Sequence, residues 1–238
     1  MRHQAITLAA GLLCQLLACS SAQAGFTGNV GGFSEYVFRG IAAEGGAAIQ
    51  GGIDYSGASG LVGGIWASNT ALFGGSELDL YAGYLHHFSD KIAVDAFALY
   101  YVLPEDREQP PFPGVSDDLD TLELGINLYA GPVKAQLYYS PDFVATGKDS
   151  YYHSLAYTHA VTDSIAVTAQ AGYTHGRGAE IAFGDQYLDY SLAVAKTIRE
   201  GLVFSLTVVD TNLTASELPQ GTDDDPKVWV GIKQTFAF

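Results

Sequence analysis

Ten charged residues fall on the polar side of segments whose side chains otherwise alternate between polar and apolar: Glu35, Arg39, Asp54, Glu77, Asp79, Asp95, Glu123, Lys134, Asp189 and Lys233. Seven are acids and three are bases, and a shared face of this kind is costly next to hydrocarbon unless its charges pair or meet water. The chemistry it offers is therefore that of ions and water in a wet or salt-bridged interior. Arg39, whose planar fork can hold two carboxylates, is expected to pair with Glu35 and with Glu77 or Asp79, while Asp54 and Lys233 border it. Acids left over, such as Asp54 and Asp95, bias the interior toward cations. A narrow, plugged interior in which all these charges pair with one another is the competing reading.

Other chemistry finds less support. His86 and His87 are adjacent and project to opposite faces of a strand, so they cannot chelate one ion, and His153 and Ser154 stand in the same relation. A twelve-stranded barrel can carry a lipolytic Ser–His site, yet no serine here lies in a nucleophile setting with a third group to orient the base. Asp223, Asp224 and Asp225 lack the spacing of a calcium loop and read as a solvated acidic loop. No cofactor or metal is expected.

The elements that carry the charged face are strands. From Val228 to Phe238, Val228, Val230, Ile232 and Phe236 fall on one side and Trp229, Gly231, Lys233, Thr235 and Ala237 on the other, with Gln234 the one break in the apolar face. Twelve segments alternate in this way, at 28–38, 48–55, 61–69, 77–87, 92–102, 120–129, 133–140, 151–159, 165–174, 186–196, 202–210 and 227–238. Leu122, Leu124, Ile126 and Leu128 against Thr121, Glu123, Gly125 and Asn127 is the cleanest example. In the first segment, Val30, Gly32, Ser34, Tyr36 and Phe38 are expected to face lipid and Arg39 the lumen. Long and short connections alternate, as an up-and-down meander requires when one end carries tight turns and the other carries loops. The fold class is thus all-β, a transmembrane up-and-down antiparallel β-barrel of about twelve strands. Aromatic residues near strand ends, Tyr36, Phe38, Tyr84, Tyr100, Tyr139, Tyr157, Tyr190, Phe236 and Phe238, are read as its interfacial girdles. The longest loop, 103–119, is a candidate to fold inward and narrow the bore.

Residues 1–24 read as a secretory signal peptide: Arg2, an apolar stretch from Ala5 to Ala18, and the small-x-small site Ala22-Gln23-Ala24. Lipoprotein processing at Cys19, after Leu16-Leu17-Ala18, is the alternative. Cleavage after Ala24 removes both cysteines, Cys14 and Cys19, and with Arg2 gone the net charge moves from −15 to −16 over residues 25–238. A chain this acidic excludes nucleic acid as a partner. Residues 25–238 then form one domain, and they hold no apolar run long enough for a transmembrane helix.

Ser34-Glu35-Tyr36-Val37-Phe38-Arg39-Gly40-Ile41, Gln50-Gly51-Gly52-Ile53-Asp54-Tyr55, Trp66-Ala67-Ser68-Asn69, and Glu77-Leu78-Asp79-Leu80-Tyr81-Ala82-Gly83-Tyr84 resemble the TorF-type porins of Gram-negative bacteria, and Tyr138-Tyr139-Ser140-Pro141-Asp142-Phe143 and Val209-Asp210-Thr211 agree. The closing strand, with Phe236 and terminal Phe238, resembles the signal by which outer-membrane barrels are recognised for insertion. The resemblance implies an outer-membrane channel, and the even count of twelve strands puts both termini in the periplasm. Its partners would be outer-membrane lipids and lipopolysaccharide, the barrel assembly machinery, and small solutes or ions. The expected function is passive diffusion with a weak preference for cations. A pore-less structural or adhesive barrel is the runner-up, and an outer-membrane hydrolase a distant third.

Overall fold

Alternation along each segment becomes inside and outside in the folded chain. In the computed structural model, which describes residues 24–43, 46–70, 75–103, 118–214 and 225–238, Leu122, Leu124, Ile126 and Leu128 are 40–48% exposed, whereas Glu123 and Asn127 between them are 1% and 0% exposed. The strands are β1 (Gly25–Phe33), β2 (Tyr36–Phe38), β3 (Ile41–Ala43), β4 (Ala48–Ser56), β5 (Leu61–Thr70), β6 (Gly75–Ser89), β7 (Ile92–Val102), β8 (Thr121–Ala130), β9 (Val133–Ser140), β10 (Ser150–Ala160), β11 (Ile165–His175), β12 (Tyr187–Arg199), β13 (Leu202–Thr211) and β14 (Lys227–Ala237). A 3-10 turn (Phe143–Ala145) follows β9, and helix α1 (Arg177–Phe183) follows β11.

β1 and β4 to β14 close a twelve-stranded antiparallel barrel, each strand pairing with its neighbours along the chain. β14 closes on β1 with Gly28 opposite Phe236 and Gly32 opposite Ile232. Closure leaves no unpaired wall edge, the condition for a sheet whose outer surface meets lipid. That surface is a belt of exposed Leu, Ile, Val, Phe and Tyr from every wall strand, far more apolar area than a water-soluble monomer presents. Tyr84, Tyr100, Tyr157, Tyr190, Phe236 and Phe238 lie on it, as expected of a girdle. Among the described residues no helix is long and apolar enough to cross a membrane.

Tyr36 and Phe38 do not lie there. The first wall strand ends at Phe33, five residues before the end of the expected segment, because its ladder to β4 stops at Phe33 opposite Ala48. Ser34 donates its backbone N–H to the Val230 carbonyl at 2.8 Å and accepts the Val230 N–H on its hydroxyl at 3.0 Å, which terminates the ladder. The chain then turns into the bore as a separate two-stranded sheet, β2 against β3, buried on both faces. Arg39 (φ 45°) and Gly40 (φ 87°) form its tip, and two consecutive positive φ angles are what a two-residue hairpin turn requires.

The hairpin carries the core of the molecule inside the barrel. Tyr36, Phe38 and Ile41 pack with Phe143 and Val144 of the 3-10 turn, with Phe183 of α1, and with inward wall residues Leu99, Tyr101, Tyr138, Tyr152 and Tyr187. All these contributors come from the long-loop end. Leu103 and Leu119, the described ends of the longest loop, are buried in the same cluster; residues 104–117, on which the inward-folding expectation rested, lie outside the described residues. So do residues 1–23 with Cys14 and Cys19, and the loop acids Asp223 and Asp224.

Candidate functional site: the charged lumen

Arg39 reaches across the bore. Its Nη2 lies 2.5 Å from Glu123 Oε1 on β8, with the two side chains 6% and 2% exposed, and Tyr101 donates its hydroxyl to Glu123 Oε2 at 2.9 Å. The guanidinium carbon sits 4.5 Å from the Tyr152 ring centre and 4.8 Å from that of Phe38, so aromatic faces as well as a carboxylate hold the cation. This corrects the expected pairing with Glu35, Glu77 or Asp79. On a wall strand Arg39 would have met its neighbours; on a hairpin tip it is carried to the sixth strand around the barrel, nearly opposite β1. Asp54 and Lys233 therefore do not border it.

The remaining charges divide by depth. Near the long-loop end, Glu77 accepts the Tyr36 hydroxyl at 2.7 Å, Asp189 accepts that of Tyr152 at 3.4 Å, and fully buried Asp79 accepts no hydrogen bond among the described residues. Glu35 stands at the base of the hairpin, where its carbonyl accepts the Trp229 indole N–H at 2.9 Å. Near the short-turn end, each acid has a cation at hand. Asp54, which accepts from Tyr81 and Asn29, lies within the field of Lys233; Asp95, which accepts from Asn127 at 2.8 Å and Tyr129 at 3.0 Å, lies within that of Lys134. Among the described residues the excess of acids is thus concentrated around the hairpin: Glu35, Glu77, Asp79, Glu123 and Asp189 against Arg39.

A cavity of about 50 Å³ lies beside the hairpin tip, walled by Arg39 and Gly40, by Gln170, Asp189 and Ser191 of β11 and β12, and by Thr207 of β13. Gly40 must be glycine here: a Cβ would come within 2.6 Å of both Asp189 Cβ and Thr211 Cγ2. Gly172 of β11 makes room in the same way, since a Cβ there would meet Asp189 Oδ2 at 2.1 Å. The alternation of polar and apolar residues pointed to Arg39, Glu123 and Asp189 individually. It missed Tyr36, Tyr152, Ser191, Thr207 and Gly40; the Arg-Gly pair inside an apolar run was the turn signal that could have found the hairpin.

A family model described as a bacterial protein of unknown function (Gcw_chp) matches residues 18–236. The chain belongs to the Gcw_chp family. No curated protein matches it. Solved structures give the barrel its company. The NanC porin superposes with a TM-score of 0.56 at 9% identity, covering 89% of this chain and 98% of that one. The KdgM porin in complex with disordered oligogalacturonate gives 0.55 at 7% identity, covering 89% and 99%. The COG4313 outer membrane channel from Pseudomonas putida F1 gives 0.51 at 10% identity, covering 90% and 96%. At these identities the likeness is one of fold, and this Gcw_chp protein shares the porin-like barrel over nearly its whole length.

Outside the lumen, His153 and His175 meet on the outer face, their Nε2 atoms 2.9 Å apart in a stack with Tyr151 and Tyr173. Ser154 points inward and donates to Gln136 at 2.8 Å, away from either imidazole. Among the described residues, no group of three or more His, Cys, Asp or Glu is placed to hold a metal ion.

Proposed function

We propose that the protein is an outer-membrane channel for passive diffusion of small solutes or ions, with a preference for cations. The observation that carries this reading is the surplus of acids around the hairpin, five acidic side chains against Arg39 among the described residues, in a barrel whose outer face is apolar. A carboxylate surplus inside a confined bore raises the local concentration of cations and repels anions. It also disfavours polyanionic cargo such as the oligogalacturonate bound by the KdgM porin. The resemblance of Val30 to Tyr84 to TorF-type porins supports the same reading. Residues 1–24 then serve as an export signal, the long loops face the exterior, and both termini face the periplasm. Lipids, lipopolysaccharide and the barrel assembly machinery are the partners such a life requires.

The pore-less structural barrel has one observation in its favour: the hairpin, the 3-10 turn and α1 fill the long-loop end with side chains. Planar-bilayer recording on the purified protein separates the two. Steady conductance with a cation-biased reversal potential supports the channel, and a bilayer that stays sealed at saturating protein refutes it.

A further inference from the structure

Eleven buried side-chain polar atoms find no hydrogen-bond partner among the described residues, and four of them share one neighbourhood. Arg39 Nη1, Asp189 Oδ2, Ser191 Oγ and Thr207 Oγ1 are each buried without a hydrogen-bond partner among the described residues, and all four belong to residues that line the one cavity beside the hairpin tip. Buried polar groups are nearly always satisfied, so four unpartnered ones on residues around one space call for a polar occupant. A cavity of about 50 Å³ has room for roughly three or four waters, or for one small ion that keeps part of its water.

Charge decides between a cation and an anion. Arg39 is the positive group at the cavity, but its charge is met at 2.5 Å by Glu123. Asp189, whose Oδ1 accepts the Tyr152 hydroxyl at 3.4 Å, adds a second carboxylate beside that neutralised pair. The net field at the site is negative. Ser191 and Thr207 hydroxyls are neutral ligands that can turn an oxygen toward a cation, and Arg39 Nη1 can donate to a water in its shell.

We infer that this cavity is a binding site for a single, partly hydrated monovalent cation, held by Asp189 Oδ2, Ser191 Oγ and Thr207 Oγ1, and that cations pass the hairpin plug here. The inference rests on the channel reading for its second half and deepens it: the permeant class is alkali-sized cations and water, with the plug as the sieve. Gly40 and Gly172 acquire a role as well. Their missing side chains let the tip and the β11 wall close around Asp189 without filling the site.

Two measurements on the mature protein test this, arranged so that the site and the channel can fail separately. Crystals soaked in a thallous salt should show anomalous density against Asp189 Oδ2 in the parent and none in Asp189→Asn. Bilayer recordings should show potassium conducted and N-methylglucamine excluded. Asp189→Asn, and independently the pair Ser191→Ala with Thr207→Val, should lower the potassium-to-chloride permeability ratio several-fold, with heat-modifiable gel mobility showing that each variant still folds. Thallium absent from the cavity, or bromide bound there instead, overturns the site. Variants that conduct and select like a conducting parent overturn the passage while leaving the channel reading intact. A sealed parent with thallium in the cavity refutes the channel and upholds the site; a sealed parent without thallium refutes both.

Discussion

Arg39 pins the hairpin tip to β8, its guanidinium 2.5 Å from the Glu123 carboxylate. Its parity within the polar face was enough to place it inside, and its neighbours Glu35, Glu77 and Asp79 were inside as well. The partner was not legible, because it depends on the chain leaving the wall at Ser34, and the period-two pattern runs on unchanged from Val30 to Phe38. An inward hairpin buried on both faces asks for apolar residues on both, and Tyr-Val-Phe satisfies that as well as it satisfies a lipid-facing strand. With the pair now assigned, removing one member of a buried ion pair costs about 3–5 kcal/mol through the charge left behind. Arg39→Ala should loosen the tip from β8 and strip the positive charge from the acidic ring. Conductance should rise several-fold and the reversal potential should move toward that of a pure cation channel, with the barrel still assembled by heat-modifiable mobility. Arg39→Lys should fall between parent and Ala, since an ammonium can keep the contact to Glu123 but not the flat packing on Tyr152 and Phe38. An Ala variant indistinguishable from the parent in both readouts would mean that Arg39 does not pin the plug.

At the level of elements, all twelve wall strands were readable from alternation and from the rhythm of long and short connections, and most ends agree to within two residues. This follows from the physics of the wall: each strand must put an apolar residue against lipid at every second position, so the pattern is enforced along the whole segment. Elements inside the bore face no such demand. The hairpin, the 3-10 turn with Val144 at φ 43°, and α1 are fixed by contacts with one another and with distant wall residues, such as the 2.9 Å hydrogen bond from the Val144 N–H to Thr121 Oγ1. They depend on the wall, but the wall's hydrogen-bonded ladders run without them, which leads to a prediction. Phe33 and Ala48 are ladder partners, so replacing residues 34–47 by a short Asn-Gly turn leaves the β1–β4 pairing intact. The resulting barrel should assemble and show a conductance several-fold above the parent, with passage of N-methylglucamine. Loss of assembly would show that the hairpin is needed to fold the wall rather than to fill it.

On the scale of the whole molecule, closure and charge distribution are the two properties that no single strand holds. Closure falls to the seam between β1 and β14, where the Phe238 N–H donates to the Phe26 carbonyl at 3.0 Å and the Phe238 ring lies over Gly28, 3.1 Å from where a Cβ there would sit. Deleting Phe238 should therefore lower the yield of assembled barrel in membranes, measured as the heat-modifiable fraction, while barrel that does assemble keeps the parent's conductance. Charge distribution makes a different demand. Near the short-turn end Asp54 and Asp95 each stand in the field of a lysine, while around the hairpin five acids face Arg39. Selectivity should then arise at one end of the bore and act over the distance that salt allows, about 10 Å at 0.1 M and about 3 Å at 1 M. At the lower salt the field of the ring spans the passage beside the hairpin tip; at the higher salt only ions in direct contact with a carboxylate feel it. The reversal potential in a fixed potassium chloride gradient should accordingly lose most of its cation bias between these concentrations. Because the ring is at one end, the bias should also be larger when the dilute solution bathes the long-loop side than when the gradient is reversed. Equal selectivity in both directions would place the filter midway along the bore, in the Asn127–Gln136 hydrogen-bond network rather than at the hairpin.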